Sequence, residues 1–158
     1  MVKTITQSLL DRLIDDNPEQ AIDPAESEEE ALFHYKAGLR RDLEALLNGK
    51  RPQIAALNRN PLLAGSIVGF GLHDISTEDF SAAGARDRIR RMMAQCIREH
   101  EPRLSDVEVE MDEGATSDGV RFRIVAVLKL TRDRDMVVYD ASVRPSDRAI
   151  AVALGRER

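Results

Sequence analysis

The chain has 158 residues, 42% of them apolar, a formal charge of −5 and a single cysteine. That length suits one domain with a real core, the lone Cys96 excludes an internal disulfide, and the negative balance argues against a general nucleic-acid binder. Tryptophan is absent and aromatic residues are few, so the core must be mainly aliphatic. No basic-then-apolar leader is visible, and no apolar run approaches the roughly 18 residues of a membrane span, so the expected location is cytoplasmic.

Residues 1–30 read as an amphipathic segment followed by an acidic linker, with 31–158 as the single domain. Ile5, Leu9, Leu10 and Leu13 lie at near-helical spacing, and Pro18, Pro24 and the cluster Glu26–Glu30 follow with few apolar residues. A helix is expected from about Ser27, where Ser27 and Glu30 have the spacing of a capping box. Leu32, Tyr35, Leu39, Leu43 and Leu46 stripe one face of it, and it should run to Asn48 with Gly49 as its C-terminal cap. Between Gln53 and Leu72 lie two apolar blocks around Asn58-Arg59-Asn60-Pro61, then Gly65, Gly69 and Gly71. These glycines fit neither Gly-x-Gly-x-x-Gly nor a phosphate loop ending in Gly-Lys-Ser/Thr, so backbone turns account for them.

A further long helix carries Ile89, Met92, Met93, Cys96 and Ile97 on one face, the i, i+3, i+4 pattern of a buried stripe. Its other side bears Arg86, Arg88, Arg90, Arg91 and Arg98 with acids interspersed, a solvated or partner-facing surface rather than a nucleic-acid groove. Pro102 ends this helix, because proline has no N–H to donate and pushes Glu101 out of helical geometry. Strict alternation follows at once: Val107, Val109 and Met111 on one face, Glu108 and Glu110 on the other, a half-buried strand. The corner therefore holds an oppositely charged pair, Glu101 and Arg103, read as a surface ion pair contributing about 0–1 kcal/mol.

The polar run Gly114–Gly119 separates this strand from a second, which carries Val120, Phe122, Ile124, Ala126 and Leu128 on one face. Val125 and Val127 on its other face suggest a centre covered on both sides. After a turn at Thr131–Asp135, Val137, Tyr139, Ala141 and Val143 alternate until Pro145, completing a three-stranded antiparallel meander, and Ala149–Leu154 adds a short apolar segment. The fold class is α+β, with helices on one face of a small antiparallel sheet.

Catalytic candidates are weak. His34, His73 and His100 have no ligand-spaced companion for a metal, no Gly-x-Ser-x-Gly elbow exists, and Cys96 with His100 one turn on lacks an orienting third group. No cofactor is implied.

The helix, Glu101-Pro102-Arg103, alternating strand and hairpin together resemble the lysozyme-like baseplate wedge family of contractile phage tails, which includes TssE of the type VI secretion system. Three further stretches carry the resemblance: Ser8-Leu9-Leu10-Asp11-Arg12-Leu13, Leu39-Arg40-Arg41-Asp42-Leu43-Glu44-Ala45-Leu46-Leu47-Asn48, and Ser66-Ile67-Val68-Gly69-Phe70-Gly71-Leu72-His73-Asp74. Asn48-Gly49-Lys50-Arg51 departs from the Asn-Thr-Arg-Arg common in relatives. The resemblance implies a non-enzymatic component of the baseplate at the inner membrane, itself not inserted, with TssF, TssG and TssK as baseplate partners in a sixfold assembly. Glu101, Pro102 and Arg103 would meet the wedge core. The sheath proteins TssB and TssC would dock by adding a strand to an open sheet edge. Candidate edges are Val107, Glu108, Val109 and Glu110 in one strand and Val137, Val138, Tyr139 and Asp140 in the other. Alternative readings are a wedge of a phage tail or tail-like particle, and a lysozyme-like cell-wall hydrolase. For the last, Arg103 beside Glu101 disfavours a general acid, and Glu108 and Glu110 share one solvated strand face.

Overall fold

In the computed structural model, which describes residues 5, 7–14, 18–19, 26–80, 82–111, 120–129, 135–144 and 146–156, two long helices lie on one face of a four-stranded antiparallel sheet. Helix α1 spans Glu28–Asn48 and opens on the anticipated capping box, Ser27 accepting from the Glu30 N–H while the Glu30 carboxylate accepts from the Ser27 N–H. The acids Glu28–Glu30 therefore belong to the first helical turn, where the helix dipole favours negative charge. The rest of the expected linker lies largely outside the described residues. Leu9–Leu13 form a turn, and Leu9, Leu10 and Leu13 are exposed.

Gly49 caps α1 as expected, its N–H bonding Ala45 C=O at 2.9 Å and Leu46 C=O at 3.2 Å, but in extended geometry, φ −63° and ψ 132°, rather than the left-handed one. Its role is close approach: an added Cβ would sit 3.3 Å from the Gly71 Cα. Gly71 itself has φ +109°, and the two segments bond through Leu72 N–H to Gly49 C=O at 2.8 Å and Arg51 N–H to Leu72 C=O at 2.9 Å. Between them the apolar blocks form α2 (Ala55–Arg59), α3 (Pro61–Ala64) and a 3-10 turn at Ile67–Gly69. Asn60 caps α3, accepting from Leu62 N–H at 3.0 Å, and Pro61 supplies the first turn.

Helix α4 (Ala83–His100) buries Ile89, Met93, Cys96 and Ile97 as its spacing requires, and leads into β1 (Leu104–Met111). Strands β2 (Val120–Leu128) and β3 (Asp135–Val143) pair in register from Val120↔Val143 to Leu128↔Asp135. The anticipated hairpin turns at 114–119 and 131–134 lie outside the described residues. The apolar segment near the end is a fourth strand, β4 (Ile150–Leu154), paired with β3 from Val143↔Ile150 to Tyr139↔Leu154. The sheet is thus not a three-stranded meander, and β3 is an interior strand. A loop closed by Arg148 N–H to Arg144 C=O at 3.0 Å, with Arg148 at φ +59°, returns the chain.

The core unites Leu39, Leu43 and Leu46 of α1, Ile89, Met93 and Ile97 of α4, and the inward residues of all four strands, with Phe122, Ile124 and Tyr139 at its centre. Val125 and Val127 are only half-buried, so the expected second cover of β2 is absent among the described residues. In β1 a bulge between Ser105 and Glu108, with Asp106 at φ +50°, restores the alternation that puts Val107 and Val109 inside.

Candidate functional site

The corner between α4 and β1 is built by local chemistry. Glu101 N–H closes the last helical turn onto Ile97 C=O at 2.8 Å, and Leu104 N–H bonds Glu101 C=O at 3.2 Å, a β-turn with proline in its favoured second position. This turn folds the Arg103 side chain back over Glu101. Arg103 Nε and Nη2 each donate to one Glu101 carboxylate oxygen at 2.6 Å, and the Arg103 N–H adds a third bond at 3.2 Å.

The pair is not on the surface, as its sequence context suggested. Glu101 is 5% exposed. Its side chain and that of Arg103 keep 7% and 24% of their free exposure. Short sequence separation and charge read as a solvated pair, but the turn tucks both groups under α1, where Arg103 also bonds Asp42 at 2.8 Å and lies 5.9 Å from the Tyr35 ring centre. Hydrogen bonds to Glu101, opposed by burial and reinforced by Asp42, raise the Arg103 pKa further above its already high value. Burial likewise raises the phenols of Tyr35 and Tyr139, the latter donating to Lys36 C=O at 3.1 Å.

The network continues to residues for which the sequence suggested no role. Arg41 bridges Asp42 at 3.0 Å and Asp11 at 2.8 Å, and Asp11 accepts from Ser8 Oγ at 2.5 Å. Burial would raise the Asp11 pKa, but the bonds from Ser8 and Arg41 outweigh it and hold the carboxyl below its usual range. Gly38 makes room for this docking, since a Cβ there would lie 2.6 Å from an Asp11 carboxylate oxygen. On the other side, the Phe70 ring meets His100 edge-on at 5.7 Å. One continuous network therefore joins Ser8, Asp11, Arg41, Asp42, Arg103 and Glu101, and Phe70 lies against His100, the residue before Glu101. The four stretches that stood out separately along the chain converge in space.

A family model described as baseplate wedge protein gp25 matches residues 34–133. The chain belongs to this baseplate wedge family. Neither a curated protein nor a solved structure gives a significant match.

In this wedge protein both oxygens of Glu101 face a guanidinium, so the carboxylate is not presented to a substrate. Pro102, by contrast, is exposed at the tip of the corner. Glu108 and Glu110 are exposed on the open sheet face, and no group of three or more His, Cys, Asp or Glu side chains able to hold a metal occurs among the described residues. Cys96 is buried, and burial raises its thiol to about 12. No described helix is long and apolar enough to cross a membrane.

The two candidate edge strands differ in position. The segment Val107–Glu110 lies on β1, an edge of the sheet, whereas Val137–Asp140 lies on β3, between β2 and β4. The edges are β1 and β4, and helix side chains bond both. On β4, Asn48 gives a bond to Ile150 C=O at 2.7 Å and takes one from Ile150 N–H at 2.9 Å. Arg40 donates to Val152 C=O at 3.1 Å, and Glu44 accepts from Val152 N–H at 3.0 Å. On β1, Arg90 donates to Val109 C=O at 3.2 Å and Arg98 to Val107 C=O. On β4 the N–H and C=O groups of Ile150 and Val152 are all met, on β1 only two carbonyls. Polar side chains of α1 and α4 make these bonds, although the sequence reads the α4 face as solvated or partner-facing.

Proposed function

We propose that this wedge protein is the TssE-type subunit of a type VI secretion baseplate, a structural part without enzymatic activity. It binds the wedge core at the Glu101-Pro102-Arg103 corner and starts sheath polymerisation by accepting a strand. The observation that carries this reading is the convergence of the four family-like stretches on one corner, in a chain of the wedge family. TssF, TssG and TssK are the proposed baseplate partners in a sixfold assembly at the cytoplasmic side of the inner membrane, and TssB and TssC the sheath partners. Glu101 and Arg103 act by shaping the corner, and the exposed Pro102 makes the contact. Of the candidate edges, β1 suits strand addition. Both N–H and C=O groups of Ile150 and Val152 are bonded on β4, whereas the arginines take carbonyls on β1.

The test is co-purification of the full chain with TssF and TssG from the same organism, comparing the natural chain with Pro102→Arg. The natural chain should form the complex and support fluorescent sheath in cells, and Pro102→Arg should fold but lose TssF and TssG. A Pro102→Arg chain that joins them normally refutes the corner as the interface, and sheath growth without the protein refutes the baseplate role.

A further inference from the structure

A strand at the edge of a sheet is a template for pairing, and proteins blunt it with charge, bulges or cover. Here β1 has all three: Glu108 and Glu110, the bulge at Asp106, and two arginines from α4. Val107 and Val109 have their carbonyls turned away from β2, the direction from which a fifth strand would bond them. Beside Val109 runs a groove of about 610 Å³ between α4 and β1, lined by Arg90, Ala94, Arg98, Glu108, Val109 and Glu110 among others. It lies where an added strand must lie.

The covers of the two edges are unequal. Asn48 both gives to and takes from Ile150, as a neighbouring strand residue would, and Arg40 and Glu44 do the same together for Val152. Removing that clasp strips donors and acceptors alike. Arg90 instead already holds Asp87 at 2.9 Å, so it keeps its counter-ion on leaving Val109. Arg98 is exposed and swings into water.

We propose that Arg90 and Arg98 form a displaceable latch on the β1 edge, and that an extended strand of a partner protein enters the α4–β1 groove by donating its own N–H groups to the Val107 and Val109 carbonyls. That the partner is the sheath rests on the function proposed above; the latch does not. While closed, the latch keeps isolated chains from pairing through β1 before they reach the baseplate.

The experiment uses the full chain with Glu108→Gln and Glu110→Gln, which removes like-charge repulsion between two copies of β1. Adding Arg90→Met and Arg98→Met keeps the aliphatic packing and deletes the donors. Sedimentation equilibrium should show self-association at least tenfold tighter in the latch-free chain, with new hydrogen-exchange protection at the Val107 and Val109 amides. A folded latch-free chain that associates no more tightly, or does so without protecting β1, overturns the proposal. If the double arginine variant does not fold, Arg98→Met alone is judged by the same two measurements. Latch-free chains that self-pair but never recruit sheath subunits would uphold the latch and end the sheath role. Equal sheath recruitment with and without the arginines, and no self-pairing, would end the latch and leave the sheath role standing.

Discussion

Arg103→Ala should be the most damaging single change at the corner, and more damaging than Glu101→Ala. Removing Arg103 leaves the Glu101 carboxylate 7% exposed with its two 2.6 Å partners gone. Breaking a buried pair by deleting one member typically costs about 3–5 kcal/mol, because the other charge stays desolvated. The lower end applies here, since the truncated side chain, 24% exposed itself, opens a path for water to reach Glu101. Asp42 keeps Arg41 at 3.0 Å, so its loss of Arg103 adds little. The expected cost is therefore about 3 kcal/mol, a large part of the roughly 5–15 kcal/mol that stabilises an ordinary domain. Glu101→Ala leaves Arg103 with Asp42 at 2.8 Å and with water, so about 1–2 kcal/mol is expected.

Equilibrium urea unfolding of the full chain measures both, and the double variant closes the cycle. The double variant should cost less than the sum of the singles, because once Arg103 is gone Glu101 no longer contributes favourably. Arg103→Ala within about 0.5 kcal/mol of the natural chain, or Glu101→Ala the costlier of the two, would refute the buried-pair reasoning and restore the solvated pair.

Gly38→Ala should undock the Ser8–Asp11 turn, because its Cβ meets the Asp11 carboxylate at 2.6 Å, yet leave the body as stable or firmer, alanine favouring a helix over glycine by about 1 kcal/mol. Limited proteolysis near Ile14, against urea unfolding, separates the two effects; equal protection of that turn in both chains would contradict the docking. Cys96 should resist thiol reagents at pH 8 in the native state and react at the rate of unfolding, since burial holds its thiol near 12 against an ordinary 9.0. A folded pKa above the unfolded one contributes stability fully present below pH 9 and lost as pH rises from 9 toward 12, so Cys96→Ala should flatten the alkaline fall in stability. An unchanged alkaline limb in that variant would argue against a buried thiol.

Much of the fold was legible along the chain because its signals are local. The capping box at Ser27 and Glu30, the leucine stripe, Pro102 and the alternation of β1 to β3 each lie within a few residues, and the structure has them as read. β4 escaped because Ile150-Ala151-Val152-Ala153-Leu154 is apolar throughout, so no polar residues mark its outward face. The corner's charge network escaped for a different reason. Asp11, Arg41, Asp42 and Arg103 are ordinary charged residues until folding brings them together, and burial, which changes a weak surface pair into a strong constraint, is a tertiary property.

The edge covers show most clearly what a helix pattern conceals. Arg40, Glu44 and Asn48 fall at i, i+4, i+8, which in isolation is a polar helix face with one favourable charged pair. Four helical residues advance about 6.0 Å, while two residues of an antiparallel strand advance about 6.8 Å, so such a face runs nearly in step with the outward groups of a strand beside it. The mismatch of about 0.8 Å per step accumulates, and side-chain flexibility absorbs it over only a few steps. β4, five residues long with two outward residues bonded, stays within that limit. On both edges, carbonyls two residues apart are met by side chains eight helical positions apart, Arg40 and Asn48 on β4 and Arg90 and Arg98 on β1; only on β4 do Glu44 and Asn48 also accept from the strand's N–H groups. The cover of β1 takes carbonyls alone, which is why it can be displaced and the cover of β4 cannot be without exposing donors and acceptors together.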